Sequence, residues 1–118
     1  MADALFPARW RQGGIRTAAT LRNLGEEAMD LTCRLMSGGA VLEETTITLE
    51  PNGQTSWFIE DEFTRTDTTD FAGTVRCTAP GEGADGKRFT GLAVEVDAAN
   101  RIFTTLPVVP LGESMPRE

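Results

Sequence analysis

Short stretches of strict apolar/polar alternation, each about eight residues long and each closed by turn-forming residues, recur along most of this chain. Side chains that change face at every residue suit a half-buried β-strand and no helix, so this one feature restricts the fold to a sheet protein. Ile15, Thr17, Ala19 and Leu21 alternate with Arg16, Ala18, Thr20 and Arg22, and the turn 23–27 follows. Met29, Leu31, Cys33 and Leu35 alternate with Asp30, Thr32, Arg34 and Met36, up to Ser37-Gly38-Gly39. A glycine pair there permits a tight reversal.

The third strand is expected over 41–49, with Thr45, Ile47 and Leu49 on one face, ended by the turn tripeptide Pro51-Asn52-Gly53. Further strands are expected at 54–59, at 71–78 with Phe71, Gly73, Val75 and Cys77 on one face, at 89–96 with Leu92, Val94 and Val96 in phase, and at 102–106. The acidic stretch 60–70 reads as a loop or single helical turn pinned by Phe63. Seven or so short strands at spacings near ten residues predict an all-β fold, an antiparallel immunoglobulin-like β-sandwich of about seven strands over residues 15–106. Residues 1–14, aromatic but aperiodic, read as an N-terminal arm across one edge. Residues 107–118 read as a proline-containing tail, mobile at its end unless a partner holds it.

A chain of 118 residues is long enough for one modest core. Its net charge of -7 repels phosphate backbones, which argues against nucleic acid as a partner. Ten of the 11 cations are Arg, and Arg9, Arg11, Arg16 and Arg22 make the first 22 residues locally basic. That cluster reads either as solvated surface or as a docking patch. No stretch approaches the roughly 18 to 20 apolar residues that cross a bilayer as a helix, and no signal peptide is visible in the chain.

The absence of histidine removes the usual general base, the usual zinc ligand and every Ser-His or Cys-His dyad, so no catalytic residue and no cofactor is assigned. Glu60, Asp61, Glu62, Asp67 and Asp70 could in principle form a carboxylate pair or a calcium site. Their spacing does not match an EF-hand loop, and acidic loops on acidic proteins are ordinarily solvated. Residues 81–86 satisfy G-x-G-x-x-G literally, and 81–87 nearly satisfy the P-loop pattern. A phosphate loop, however, must open a helix, whereas here a strand pattern follows, and Glu82 and Asp85 would repel the anion.

Cys33 and Cys77 fall on the inward phase of their strands, which suits either two buried thiols or an inter-strand disulfide. Trp57, beside Phe58 in a strand, is expected to pack in the core or at an edge, while Trp10, between Arg9 and Arg11, is the better interface anchor. The candidate interface is therefore Phe6, Arg9, Trp10, Arg11, Pro107, Val109 and Pro110.

Leu5-Phe6-Pro7, Gly13-Gly14, the Asn23 turn, Pro51-Asn52-Gly53, Asp70-Phe71-Ala72-Gly73-Thr74-Val75, Phe89-Thr90-Gly91-Leu92-Ala93 and Phe103-Thr104-Thr105-Leu106-Pro107-Val108 occur in order. Together they resemble a β-sandwich module of bacterial secreted and cell-surface proteins, over almost the whole chain. More distantly, the Asn23-Leu24-Gly25-Glu26-Glu27 turn and Asp70-Phe71-Ala72 are similar in order to the sensory rhodopsin transducer family, small sandwich proteins that oligomerise and dock on a membrane protein. These resemblances imply a non-catalytic interaction or accessory domain that docks on another protein or a membrane-protein assembly. They place it at the periplasm or cell surface, with the cytoplasm left open because no signal peptide is present. The other readings are an extracellular carbohydrate- or calcium-binding module and an oligomeric signal-transducer adaptor.

Overall fold

The computed structural model describes residues 1–11, 14–66, 70–83 and 87–111. Nine strands, one α-helical turn and one 3-10 turn (Pro80–Gly83) occur among them: β1 (Asp3–Arg11), β2 (Ile15–Asn23), β3 (Met29–Ser37), β4 (Ala40–Leu49), β5 (Gln54–Phe58), α1 (Ile59–Glu62), β6 (Asp70–Thr78), β7 (Phe89–Asp97), β8 (Ile102–Leu106) and β9 (Val109–Pro110). The fold is all-β, and every pairing is antiparallel.

Two ladders carry the sheet. One runs β4-β3-β6-β1, with β9 on the far edge of β1; the other runs β5-β2-β7-β8. Between β1 and β2 the register contains a single pair, Arg11 with Ile15. Beyond it the strands part, and the buried Thr17 side chain takes over the β1 edge: its hydroxyl accepts from the Arg9 amide at 2.8 Å and donates to the Arg9 carbonyl at 2.7 Å. A hydroxyl is both donor and acceptor, so one threonine satisfies both backbone groups that the departing strand abandons.

The alternation read from sequence is the alternation of burial. Met29, Leu31, Cys33 and Leu35 on β3, Ile47 and Leu49 on β4, Phe71, Val75 and Cys77 on β6, and Ala19 and Leu21 on β2 join one core cluster. Each Val, Leu, Ile, Phe or Met side chain among them that is fully removed from water contributes about 1.5–3 kcal/mol. Phe63 is buried just after the helical turn, as its aromatic character in an acidic stretch predicts. On β7 the phase differs from the apolar pattern. Phe89 and Ala93 face the core, and Leu92, Val94 and Val96 lie on the opposite face, because the register with β2 sets Ala93 against Ala19 and Phe89 against Asn23.

The ends of the chain also depart from expectation. Asp3–Arg11 is a nine-residue strand hydrogen-bonded along its length to β6, not an arm, with Ala4, Phe6, Ala8 and Trp10 buried. Its polar phase is short, and Pro7 masks the period; the proline is tolerated because β1 has no strand opposite Pro7 on its second edge. In the tail, Val109–Pro110 pairs with Ala4 and Leu5, and the Leu111 amide donates to the Asp3 carbonyl at 2.8 Å. The sheet therefore extends beyond residues 15–106 at both ends. Gly13, Asp67, residues 84–86 of the glycine-rich loop and the end of the tail at 112–118 lie outside the described residues.

Two details hold the turns. Gly38 and Gly39 both adopt positive φ (58° and 83°) in the β3–β4 reversal. Asn23, fully buried, donates from Nδ2 to the Glu27 and Leu49 carbonyls (2.7 and 3.2 Å) and accepts on Oδ1 from the Gly25 amide (2.8 Å), tying the β2–β3 turn to the end of β4.

Candidate interaction surface

The residues expected at the interface divide into three groups. Phe6 and Trp10 are buried, Trp10 stacking on Phe71 with ring centroids 4.5 Å apart, so neither presents a side chain to a partner. Their even-numbered positions on β1 share the face that packs on the core. Arg9 and Arg11 take the other face, where Arg9 is bound in a two-pronged pair by Glu95 (2.5 and 2.9 Å) and Arg11 lies 3.6 Å from Asp70. The hydrogen bond from Arg9 holds the Glu95 carboxyl below its ordinary value and raises the guanidinium in turn. Pro107, Val109 and Pro110 remain exposed at the rim, Val109 and Pro110 along the β1 edge.

A cleft of about 160 Å³ lies beside that ion pair, lined by Pro7, Ala8, Arg9, Ala72, Gly73, Glu95 and Leu106. The strands crowd closely at its floor: a Cβ on Gly73 would overlap the Met36 carbonyl oxygen and the Phe71 ring. What this cleft offers is backbone, aliphatic carbon and one closed charge pair.

The larger surface is one that periodicity alone did not assign. Registers β5–β2, β2–β7 and β7–β8 set out rows on the face opposite the core: Phe58, Ala18, Val94 and Thr105; Arg16, Val96 and Phe103; Ser56, Thr20 and Leu92. Phe103 is 72% exposed and Leu92 52% exposed. Arg16 supplies the charge in these rows. It lies 3.5 Å over the Phe58 ring centroid and pairs with Glu60 (3.1 Å) and Asp61 (3.3 Å). Those two carboxylates of the acidic stretch are thereby engaged in ion pairing, and among the described residues no group of three or more acidic, Cys or His side chains could hold a metal ion.

β8 ends the sheet order, so its outer backbone edge is unpaired among the described residues. Its sequence, Ile102-Phe103-Thr104-Thr105-Leu106, contains no charge and no proline, and none of the five residues is buried. Sheet proteins commonly protect such an edge with lysine, proline or a bulge, and β8 carries none of these. The turn leading into it is well made: Asp97 accepts from the Asn100 side chain (2.9 Å) and amide (3.2 Å), which lowers the Asp97 carboxyl, and Arg101 takes the left-handed conformation at φ 56°. The signal for this surface was in the sequence, as apolar residues in phase at 92, 94 and 96 followed by Ile102-Phe103; the face they occupy required the register. Among the described residues no helix is long and apolar enough to cross a membrane. No family model, curated protein or solved structure matches this chain.

Proposed function

We propose that this chain is a non-catalytic interaction or accessory domain, its two ladders packed as an immunoglobulin-like sandwich, that docks on another protein by accepting an extended segment along β8. The partner is a protein or an exposed segment of a membrane-protein assembly, met at the periplasm or cell surface. The observation that carries this reading is the charge-free β8 edge beside an apolar sheet face with Phe103 72% exposed. Strand addition takes affinity from backbone hydrogen bonds and specificity from alternate side chains, and β8 offers both an open ladder and a ring to pack on. The charged groups nearest that face, Arg16 with Glu60 and Asp61, are already paired, so an uncharged segment docks there without stranding an ion.

The test is selection of extended peptides from a random displayed library. Peptides selected by the wild type should lose binding to Thr105→Pro, which removes an outward-facing backbone donor from the edge because Thr105 stands opposite Val94, whose own backbone bonds run to β2, and to Phe103→Lys, which removes the ring. They should keep it for Arg34→Ala on the other ladder. Equal binding by all four proteins, or selection of no peptide at all, would overturn the proposal.

A further inference from the structure

The two cysteines are not merely both buried; they are direct partners in the β3–β6 register, Cys33 opposite Cys77. The same row continues to Ala4 on β1 and Thr45 on β4, so two small side chains flank the pair and leave room at its sides. Directly opposed residues of an antiparallel pair have Cα atoms about 4.5 or 5.5 Å apart, both within the 4.4–6.8 Å range of disulfides. Their side chains share one face, and their Cβ atoms need close by only about an ångström to reach bonding geometry. Both residues are present as thiols, wholly removed from solvent. A hydrogen bond to Cys33 and burial among apolar neighbours push the Cys77 thiol well up, so it is the thiol form that the folded core retains.

We infer that Cys33 and Cys77 are an oxidation site, a cross-strand dithiol that closes to a disulfide by exchange with a small-molecule or enzymatic disulfide while the chain folds, clamping β3 to β6. In the first step one cysteine, its proton lost to solvent, attacks a sulfur of the oxidant R–S–S–R; a mixed disulfide forms and one R–S⁻ leaves. In the second, the other cysteine, likewise deprotonated, attacks the protein sulfur of that mixed disulfide; the Cys33–Cys77 bond forms and the second R–S⁻ leaves. The protein loses two electrons and two protons, and the oxidant is reduced to two thiols. Exchange requires an accessible thiolate, so it belongs to the folding chain or to a locally opened sheet and not to the closed core. The inference is independent of the docking surface, which lies on the other ladder.

The full chain, unfolded and reduced, is refolded by dilution into oxidised plus reduced glutathione and, in parallel, into reductant alone. The expected product in glutathione is a monomer lighter by two hydrogens, closed to iodoacetamide and yielding one peptide pair joined through Cys33 and Cys77. Because the bond closes a loop between positions 44 apart, its melting midpoint should exceed that of the reduced protein by roughly 10 °C. A Cys33→Ala/Cys77→Ala variant should show the same midpoint in both buffers. Wild-type protein that emerges with both thiols free, with glutathione still attached, or with chains joined to one another would overturn the inference, and the mass measurement decides this even if the double variant does not fold.

Discussion

The faces that the two ladders turn away from the core are built by the same alternation and filled in opposite ways. On β4-β3-β6-β1 that face is laced with charge. Arg34 pairs with Glu44 (2.9 Å), Thr48 donates to Asp30 (2.7 Å), and Arg76 grips Asp3 through two bonds (3.0 and 2.6 Å) with Thr78 assisting at 3.0 Å. On β5-β2-β7-β8 the corresponding positions hold Ala18, Val94, Val96, Leu92 and Phe103. Cross-strand ion pairs on the first face contribute little each, but they keep a sheet of a chain with net charge -7 solvated and unattractive to a second sheet. On the second face charge is confined to Arg16, paired with Glu60 and Asp61, and to Arg22, and that face borders the uncharged β8 edge. The proposed docking surface rests on this difference more than on any single residue.

The comparison can be broken most sharply with two phenylalanines. Phe6→Ala, on the core side of the first ladder, should lose about 3–5 kcal/mol in denaturant unfolding, whereas Phe103→Ala should change stability by no more than about 0.5 kcal/mol. Similar losses for both would mean that the second face is covered. Asn23→Ala removes three hydrogen bonds and leaves the buried Leu49 carbonyl and the part-buried Glu27 carbonyl short of a donor, so a loss of about 2–3 kcal/mol is expected. Thr17→Val keeps the shape at the point where the ladders diverge while stripping both bonds to Arg9. It should cost about 1–2 kcal/mol and speed hydrogen exchange at the Arg9 amide, an effect absent from the amides of β3.

The smallest effect belongs to the ion pair that joins the ladders. Glu95→Gln should cost less than about 1 kcal/mol near neutral pH, since Arg9 is half exposed. Folding lowers the Glu95 pKa from its ordinary 4.5, so the contribution is complete above that value and is lost as pH falls through the lower folded one. The difference in melting temperature between wild type and variant should therefore vanish in acid. A difference that persisted there would show that the pair acts through packing and not through charge.

Most strands were legible in the sequence because their apolar residues repeat at the sheet period and Gly, Pro and Asn interrupt them, as at Ser37-Gly38-Gly39 and Pro51-Asn52-Gly53. β1 was not, because Pro7 and the small residues Ala4 and Ala8 dilute its pattern, and its strand character comes from pairing with β6. β9 is two residues long, too short for any period to show. Of the interface residues, only the pairing of β1 with β6 makes 3–11 a strand, and with it the alternation puts Arg9 and Arg11 on one face and Phe6 and Trp10 on the face that meets the core. At the apolar positions 92, 94 and 96 of β7, periodicity left open which face met the core.

What the amino-acid order determined by itself is the class of structure and the chemistry it lacks the residues for: strands in antiparallel sheets, and a chain without histidine. Only the tertiary structure decided which strands are neighbours, and with that which apolar face is spent on the core and which is left to solvent. It likewise set Cys33 against Cys77, across 44 positions of chain. The reason is physical: alternation is a local property of the backbone, whereas register between distant strands is chosen by packing and hydrogen bonding among residues that no local period connects.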